Sequence, residues 1–184
     1  IVGVGLGWYP EEFEAYSSWD PDPLRFEKTR EALELMVKLW SEDKVNFEGK
    51  YYRAEDAILQ PKSVQKPHPP LWFGGTGKKM LKITAEMGDG WITPGPRWAP
   101  ICTEVEQYRE CVEKIKRYRE SLGKNNEFTF ACLIAPHESF KEFVREIEDY
   151  KKAGMEYLVL GITRVREGLD LVKRFKNEIA SSFS

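Results

Sequence analysis

Residues that bind metals or form disulfides are scarce in this sequence. It holds three cysteines, Cys102, Cys111 and Cys132, and two histidines among its 184 residues. The cysteines are odd in number and scattered along the chain, without the paired spacing of a zinc site or of a disulfide framework. We therefore expect reduced and mostly buried thiols, and no bound metal.

Strong net charge and long apolar runs are also missing. The 28 Lys and Arg nearly balance the 30 Asp and Glu, for a formal net charge of -2. Such a chain lacks the basic stripe that nucleic acid or an anionic membrane surface requires. No apolar run approaches the roughly 18 residues of a membrane span, and no segment resembles a secretory signal. The sequence predicts a cytoplasmic protein that binds neither nucleic acid nor membranes.

What the sequence does contain is a regular alternation of short apolar runs with longer segments of helical period, which favours βα units around a parallel sheet. Strands are predicted at Ile1–Gly5, Pro70–Phe73, Gly90–Thr93, Phe128–Ala135 and Tyr157–Ile162. Helices are predicted at Leu24–Trp40, Lys78–Met87, Thr103–Leu122 and Ser139–Ala153, and from about Leu169 onward. The run Tyr157–Ile162 is of the kind expected when both faces of a strand are covered. We interpret 1–184 as a single domain, with an insertion at 41–69 that carries a small hairpin at Asn46–Tyr52.

Five parallel strands with helices fit either an open doubly wound sheet or part of an eight-stranded barrel, and periodicity alone does not choose. A complete barrel of this type takes about 250 residues, so the chain is long enough for only part of one. It also opens without Met, inside the apolar run Ile1–Gly5. We therefore expect an upstream segment to be missing.

Several motifs, taken in order, point to one family. They are Gly3–Trp8, Glu11–Phe13, Arg25–Phe26, Glu31–Leu33, Phe47–Tyr52, Gln65–Gly75 and Gly88–Trp91. In this order and spacing they resemble the luciferase-like monooxygenase family, especially its branch of reductases and dehydrogenases that depend on the deazaflavin coenzyme F-420. The resemblance is specific over Ile1–Pro96 and rests only on the βα rhythm after that.

The resemblance implies a (β/α)8 TIM barrel of which this chain holds strands four to eight, with the first three strands absent. It also implies an oxidoreductase that uses coenzyme F-420 or FMN to transfer a hydride to a small organic substrate or to oxygenate it. The alternative is a non-catalytic cofactor-binding or assembly subunit, or an inactive fragment of such an enzyme. Because an unclosed parallel sheet leaves exposed edges, we expect a homo-oligomer or a partner that supplies the N-terminal half.

The loop Gly74-Gly75-Thr76-Gly77 lies between a predicted strand and a predicted helix. Glycines let backbone N–H groups approach an anion, and a helix start adds unpaired amides and the positive end of its dipole. A phosphate suits such a loop, although two glycines also serve a plain tight turn. The resemblance implies that this loop holds the phosphate of the flavin or deazaflavin, with Thr76 offering a hydroxyl group.

The sequence departs from the luciferase branch at Leu6, where the resemblance would place an arginine that grips the flavin phosphate. That departure weakens an assignment of FMN and favours the deazaflavin. Arg25 and Glu31 match family positions near the start of a helix, and we interpret both as structural.

Further candidates lie on loops that follow predicted strands. Arg97 and Trp98 offer a cation and an indole to a planar ring or an acidic group, although a proline-stiffened surface loop explains them nearly as well. Trp8 is a candidate for lining the mouth of the cofactor pocket. His137 is the weakest candidate, a proton carrier at the end of a strand, and an exposed loop histidine is its plainer interpretation.

Overall fold

The computed structural model describes residues 1–98, 100–137, 139–162 and 165–178, and the chain divides into two compact units, Ile1–Leu71 and Trp72–Ser184. Strands and helices alternate in the predicted order, with ends that shift by a few residues from the predicted bounds. The strands that pair in the second unit are parallel. The prediction of an α/β fold around a parallel sheet is therefore confirmed.

The first unit combines one long helix with short strands. Its elements are β1 (Val2–Val4), α1 (Pro10–Glu14), α2 (Asp22–Ser41), β2 (Val45–Glu48) and β3 (Arg53–Ala57). Helix α2 begins at Asp22, two residues before the predicted start, because Pro23 stands in its first turn, where the fixed φ of proline suits a helix. Helix α1 was not predicted, since its five residues are too few to show a helical period.

Strands β2 and β3 form an antiparallel hairpin within segment 41–69. The N–H of Gly49 donates to the carbonyl of Tyr52 at 2.9 Å and closes the turn. A register shift between Val45 and Phe47 adds a bulge to the first strand of the hairpin. Such a bulge bends the strand that carries it.

A single carboxylate of α2 holds this turn. Glu31 accepts hydrogen bonds from the backbone N–H groups of Lys50 at 3.0 Å, Tyr51 at 2.8 Å and Tyr52 at 2.7 Å. A Cβ atom added to Gly49 would clash with Oε1 of Glu31, so a side chain at that position would displace the carboxylate. Glu31 therefore has the structural role that the sequence suggested.

The second unit is a parallel sheet with helices packed on one face. Its strands are β4 (Leu71–Phe73, which starts at the last residue of the first unit), β5 (Gly90–Pro94), β6 (Thr129–Ile134) and β7 (Tyr157–Leu160). Its helices are α3 (Lys78–Met87), α4 (Val105–Ser121), α5 (Phe140–Lys152) and α6 (Val165–Glu178). Strands β4 to β7 pair in chain order, with Phe73 opposite Trp91 and Cys132 opposite Leu158.

The core lies between the sheet and the helices. The Tyr108 ring packs between those of Trp91 and Tyr150, with centroids 5.0 and 5.3 Å away, and all three side chains are fully buried. The Tyr150 hydroxyl donates to the carbonyl of Thr103 at 2.5 Å, so its polar end is satisfied inside the core. Burial raises the pKa of the Cys132 thiol to about 12, which keeps it protonated and unreactive.

The opposite face of the sheet is less covered. Trp72 packs edge-on against Tyr157, with centroids 5.3 Å apart, and the Tyr157 side chain is 51% exposed. The rest of β7 is only half-buried. The expectation that this strand is covered on both faces is therefore wrong for the described residues, because the helices pack against one face only. Strand β7 is apolar on both faces all the same.

We expect Gly49→Ala to destabilise the protein by about 1–3 kcal/mol, the usual cost of forcing a methyl group into filled space. The added Cβ would meet the Glu31 carboxylate and displace it from the turn. Denaturant unfolding measures the change. Gly3→Ala is the matched control, because a Cβ at Gly3 meets nothing within 4 Å. Equal stability of the two variants would contradict the role of the Glu31 carboxylate in holding the hairpin turn.

Stability should also depend on the ionisation of Glu31. Burial raises the pKa of Glu31, but the hydrogen bonds from Tyr51, Tyr52 and Lys50, with the charge of Lys50, outweigh it and hold the pKa below its ordinary value of 4.5. A carboxyl whose pKa is lowered by folding stabilises the protein above its unfolded pKa and loses that contribution as pH falls through the folded value. Unfolding midpoints should therefore drop below about pH 4.5. The variant Glu31→Gln should show a smaller drop, and an identical pH profile would refute the assignment.

Candidate cofactor site

The loops that follow strands β4 to β7, here called the strand-end loops, gather at the carboxyl edge of the parallel sheet, the edge where barrel folds place their sites. The N–H of Gly95 donates to the Leu133 carbonyl at 2.9 Å, and the N–H of Gly161 donates to the Ile134 carbonyl at 3.0 Å. The Trp91 indole N–H donates to the carbonyl of Gly75 at 2.9 Å. These bonds fix the positions of neighbouring loops.

The first strand-end loop, Gly74–Gly77, opens onto the start of α3. Gly75 has a φ of +99°, a conformation that side chains rarely adopt. Gly77 is the N-cap of α3, and no side chain caps the helix or places an acidic group in its first turn. The N–H of Leu81 donates to the Gly77 carbonyl at 3.0 Å. The loop therefore presents an uncapped helix start, which is electropositive.

A cavity of about 430 Å³ adjoins this loop. Its lining combines the loop with one face each of α3 and α4, and comprises Thr76, Lys78, Leu81, Lys114, Arg117 and Tyr118. Lys114 pairs with Glu110 at 2.9 Å, and this hydrogen bond raises the pKa of Lys114. Lys78 and Arg117 add two further basic side chains, so the lining carries positive charge that Glu110 compensates only in part.

Arg97 connects two of the strand-end loops. Its φ is positive, at 70°. Its guanidinium donates to the carbonyl of Ala135 at 2.7 Å and pairs with the carboxylate of Glu146 at 2.5 Å. The Arg97 cation thus has partners within the protein, and its contact with a ring or substrate stays a prediction.

Trp98 lies half-buried at the end of β7. A Cβ atom added to Gly161 would lie 2.2 Å from the Trp98 ring, so the indole packs directly on that glycine. The indole N–H is buried and has no hydrogen-bond partner among the described residues. An unpaired buried donor costs free energy. It is the strand-end group with the clearest need of a partner.

His137 and Trp8 occupy different surroundings. Nδ1 of His137 accepts the backbone N–H of Ser139 at 3.1 Å and lies 3.0 Å from the Glu142 carboxylate, so the ring packs at the start of α5. Trp8 belongs to the first unit, where it is 54% exposed and its ring centroid lies 5.4 Å from that of Tyr9. Neither observation tests a role in catalysis or ring contact.

Arg25 has the structural role expected of it. Its guanidinium stacks on the Trp19 ring at 3.6 Å and donates to the carbonyls of Leu6 and Gly7, each at 3.3 Å. These contacts fix the loop that follows β1. A second cavity, of about 420 Å³, lies within the first unit beside these groups.

The sequence did not reveal the basic side chains around Thr76. Lys114, Arg117 and Tyr118 are spaced i, i+3 and i+4 on α4, so they share one face of that helix. Charged helix faces are usually just solvated. Only the packing of α3 on α4 shows that this face adjoins the glycine loop.

The described part of the chain shows neither a membrane-spanning helix nor a metal-binding cluster. None of its helices is long and apolar enough to cross a bilayer. It also holds no cluster of three or more His, Cys, Asp or Glu side chains placed to bind a metal ion.

Known proteins with similar sequences are redox enzymes. The chain is 33% identical over 127 residues to an F420-dependent glucose-6-phosphate dehydrogenase from Segniliparus rotundus, which covers 67% of this chain and 37% of that protein. It is 29% identical over 109 residues to an FMNH(2)-dependent dimethylsulfone monooxygenase from Pseudomonas putida, which covers 59% of this chain and 30% of that protein. The chain thus spans about a third of the length of these relatives.

The fold comparison agrees. A solved F420-dependent secondary alcohol dehydrogenase, in complex with an F420-acetone adduct, superposes with a TM-score of 0.78 over 97% of this chain and 68% of that one, at 22% identity. That identity supports the fold alone. The family model for luciferase-like monooxygenases matches residues 1–175. The chain therefore belongs to the luciferase-like monooxygenase family.

Proposed function

We propose that this chain forms the cofactor-phosphate site of a flavin- or deazaflavin-dependent oxidoreductase that acts on a small organic substrate. The observation that carries the proposal is the turn Gly74–Gly77, which opens onto the uncapped start of α3. Relatives in the family are described as FMNH(2)-dependent and F420-dependent enzymes. Both cofactors carry a phosphate group that such a turn suits.

The donor groups at this turn fit a phosphate. The first-turn amides of a helix have no acceptor inside the helix, and no side chain in the described part of the chain caps them. A Cβ at Gly77 would meet nothing within 4 Å, so space is open where an anion would approach. The Thr76 hydroxyl lies on the same turn and adds a further donor.

The charges at the helix start also favour an anion. Lys78 is the first residue of α3, although a basic side chain there opposes the helix dipole. Acidic residues are the usual stabilising choice at that end. A bound phosphate would compensate both the charge of Lys78 and the helix dipole, so it would explain why a basic residue stands at this position.

The protein's contribution to the reaction is to bind and orient. When bound, the cofactor's ring system supplies the hydride or oxygen chemistry. Among the strand-end loops, the buried Trp98 N–H is the donor best placed to meet a ring or a substrate, because no described group satisfies it. Arg97, which Glu146 and Ala135 already hold, keeps the neighbouring loops in position. The Trp98 ring packs directly on Gly161, and this contact fixes its position.

Gly77→Asp should weaken binding of FMN and of coenzyme F-420 by about tenfold or more, because a carboxylate at the helix start would oppose the cofactor phosphate. It should not destabilise the fold, since Asp is a favoured N-cap residue and its Cβ meets open space. Titration of cofactor fluorescence measures the affinity, and thermal unfolding checks the fold.

The matched control is Gly77→Asn, which caps a helix as well as Asp does but carries no charge. It should keep most of the affinity. If the Asp and Asn variants bind both cofactors as tightly as the unaltered protein, the phosphate lies elsewhere and the proposed site is wrong.

A further inference from the structure

We propose that the cavity beside Thr76 binds an anionic chain that continues from the cofactor's phosphate, so that the site takes a cofactor with an oligocarboxylate tail. The inference rests on the proposed function, because it starts from a phosphate at Gly74–Gly77. Thr76 belongs both to that loop and to the cavity wall. A chain leaving the phosphate would therefore enter the cavity directly.

The cavity is large enough for such a chain, and three basic side chains line it. Its volume of about 430 Å³ exceeds what a single phosphate group needs, and it opens between α3 and α4. Lys78 projects from α3, whereas Lys114 and Arg117 project from α4. The two α4 cations are three residues apart, which places them about 4.5 Å apart along the helix axis. Successive anionic groups of one chain could contact both.

The positive charge of the cavity is only partly compensated. Lys114 pairs with Glu110 at 2.9 Å. Within the described part of the chain, the Arg117 Nε donates to a carbonyl of its own helix, that of Glu113 at 3.4 Å. Neither Arg117 nor Lys78 has a carboxylate partner among the described residues. Cations gathered at one cavity repel one another, and an acidic ligand would remove that cost.

The two cofactors of the family differ at this point. FMN ends at its phosphate, which would leave the cavity unused. Coenzyme F-420 continues beyond a phosphodiester into a lactyl group and a chain of glutamates, each with a carboxylate. The basic lining therefore selects the deazaflavin, with Lys78, Lys114 and Arg117 as the groups that contact its tail.

The test compares tail-bearing coenzyme F-420 with the same deazaflavin cut back to its lactyl phosphate. Dissociation constants are measured by fluorescence titration on the unaltered protein and on the double variant Lys114→Gln/Arg117→Gln, at fixed ionic strength. The double variant should bind the tail-bearing cofactor about five- to tenfold more weakly, as two lost surface charge contacts allow. Its affinity for the cut-back form should change by less than about twofold.

The matched control is Arg109→Gln/Lys116→Gln, which removes two positive charges from the same helix outside the cavity. In the unaltered protein Arg109 faces Glu106 at 3.6 Å, and Lys116 lies over the Phe130 ring at 5.4 Å. This control should bind both cofactors normally. Thermal unfolding of both double variants confirms that each is folded.

The outcomes separate the two proposals. If the cavity variant binds tail-bearing and cut-back cofactor with unchanged affinity, or if the control weakens binding as much as the cavity variant does, the tail inference is overturned while the cofactor site stands. If the unaltered protein binds neither deazaflavin nor FMN, the proposed function fails, and the tail inference falls with it.

Discussion

The hydrogen bond from the Trp91 indole to the carbonyl of Gly75 joins the core of the second unit to its candidate site. The Trp91 ring is fully buried and packs against Tyr108, which in turn packs against Tyr150. Gly75, by contrast, is exposed and has a positive φ that needs support. The shape of the glycine turn is therefore set by the packing beneath it, so the start of α3 presents its amides in a fixed direction.

A second constraint of the same kind operates in the first unit. The Glu31 carboxylate replaces the missing partners of the hairpin turn by accepting N–H groups from Lys50, Tyr51 and Tyr52. In both units one side chain on a regular element forms hydrogen bonds with the backbone of an irregular one. These hydrogen bonds offset part of the free-energy cost of ordering an irregular loop. They can do so because the helix or strand that carries the side chain is itself held in place by packing.

Much of the fold followed from local signals. Apolar periodicity located the strands and the long helices. The residue types at two helix ends fit their positions, because Ser139 caps α5 and Gly123, which follows α4, has a φ of +67°. Helix α1 escaped detection because five residues show no period. The prediction that both faces of β7 are covered was wrong, because an apolar run shows which side chains a strand carries but not which elements pack against them. Of the candidate site, the glycine turn was visible because Gly74, Gly75, Thr76 and Gly77 are consecutive.

The sequence by itself determined the βα order, the glycine turn before α3 and the resemblance to the luciferase-like family, since all three depend on residues that are close together along the chain. Only the tertiary structure placed Lys114 and Arg117 beside Thr76, paired Arg97 with Glu146, and left the Trp98 N–H without a partner among the described residues. These relations join residues far apart in sequence. They depend on the register of the parallel sheet and on how α3 packs against α4, because only that packing decides which helix faces meet.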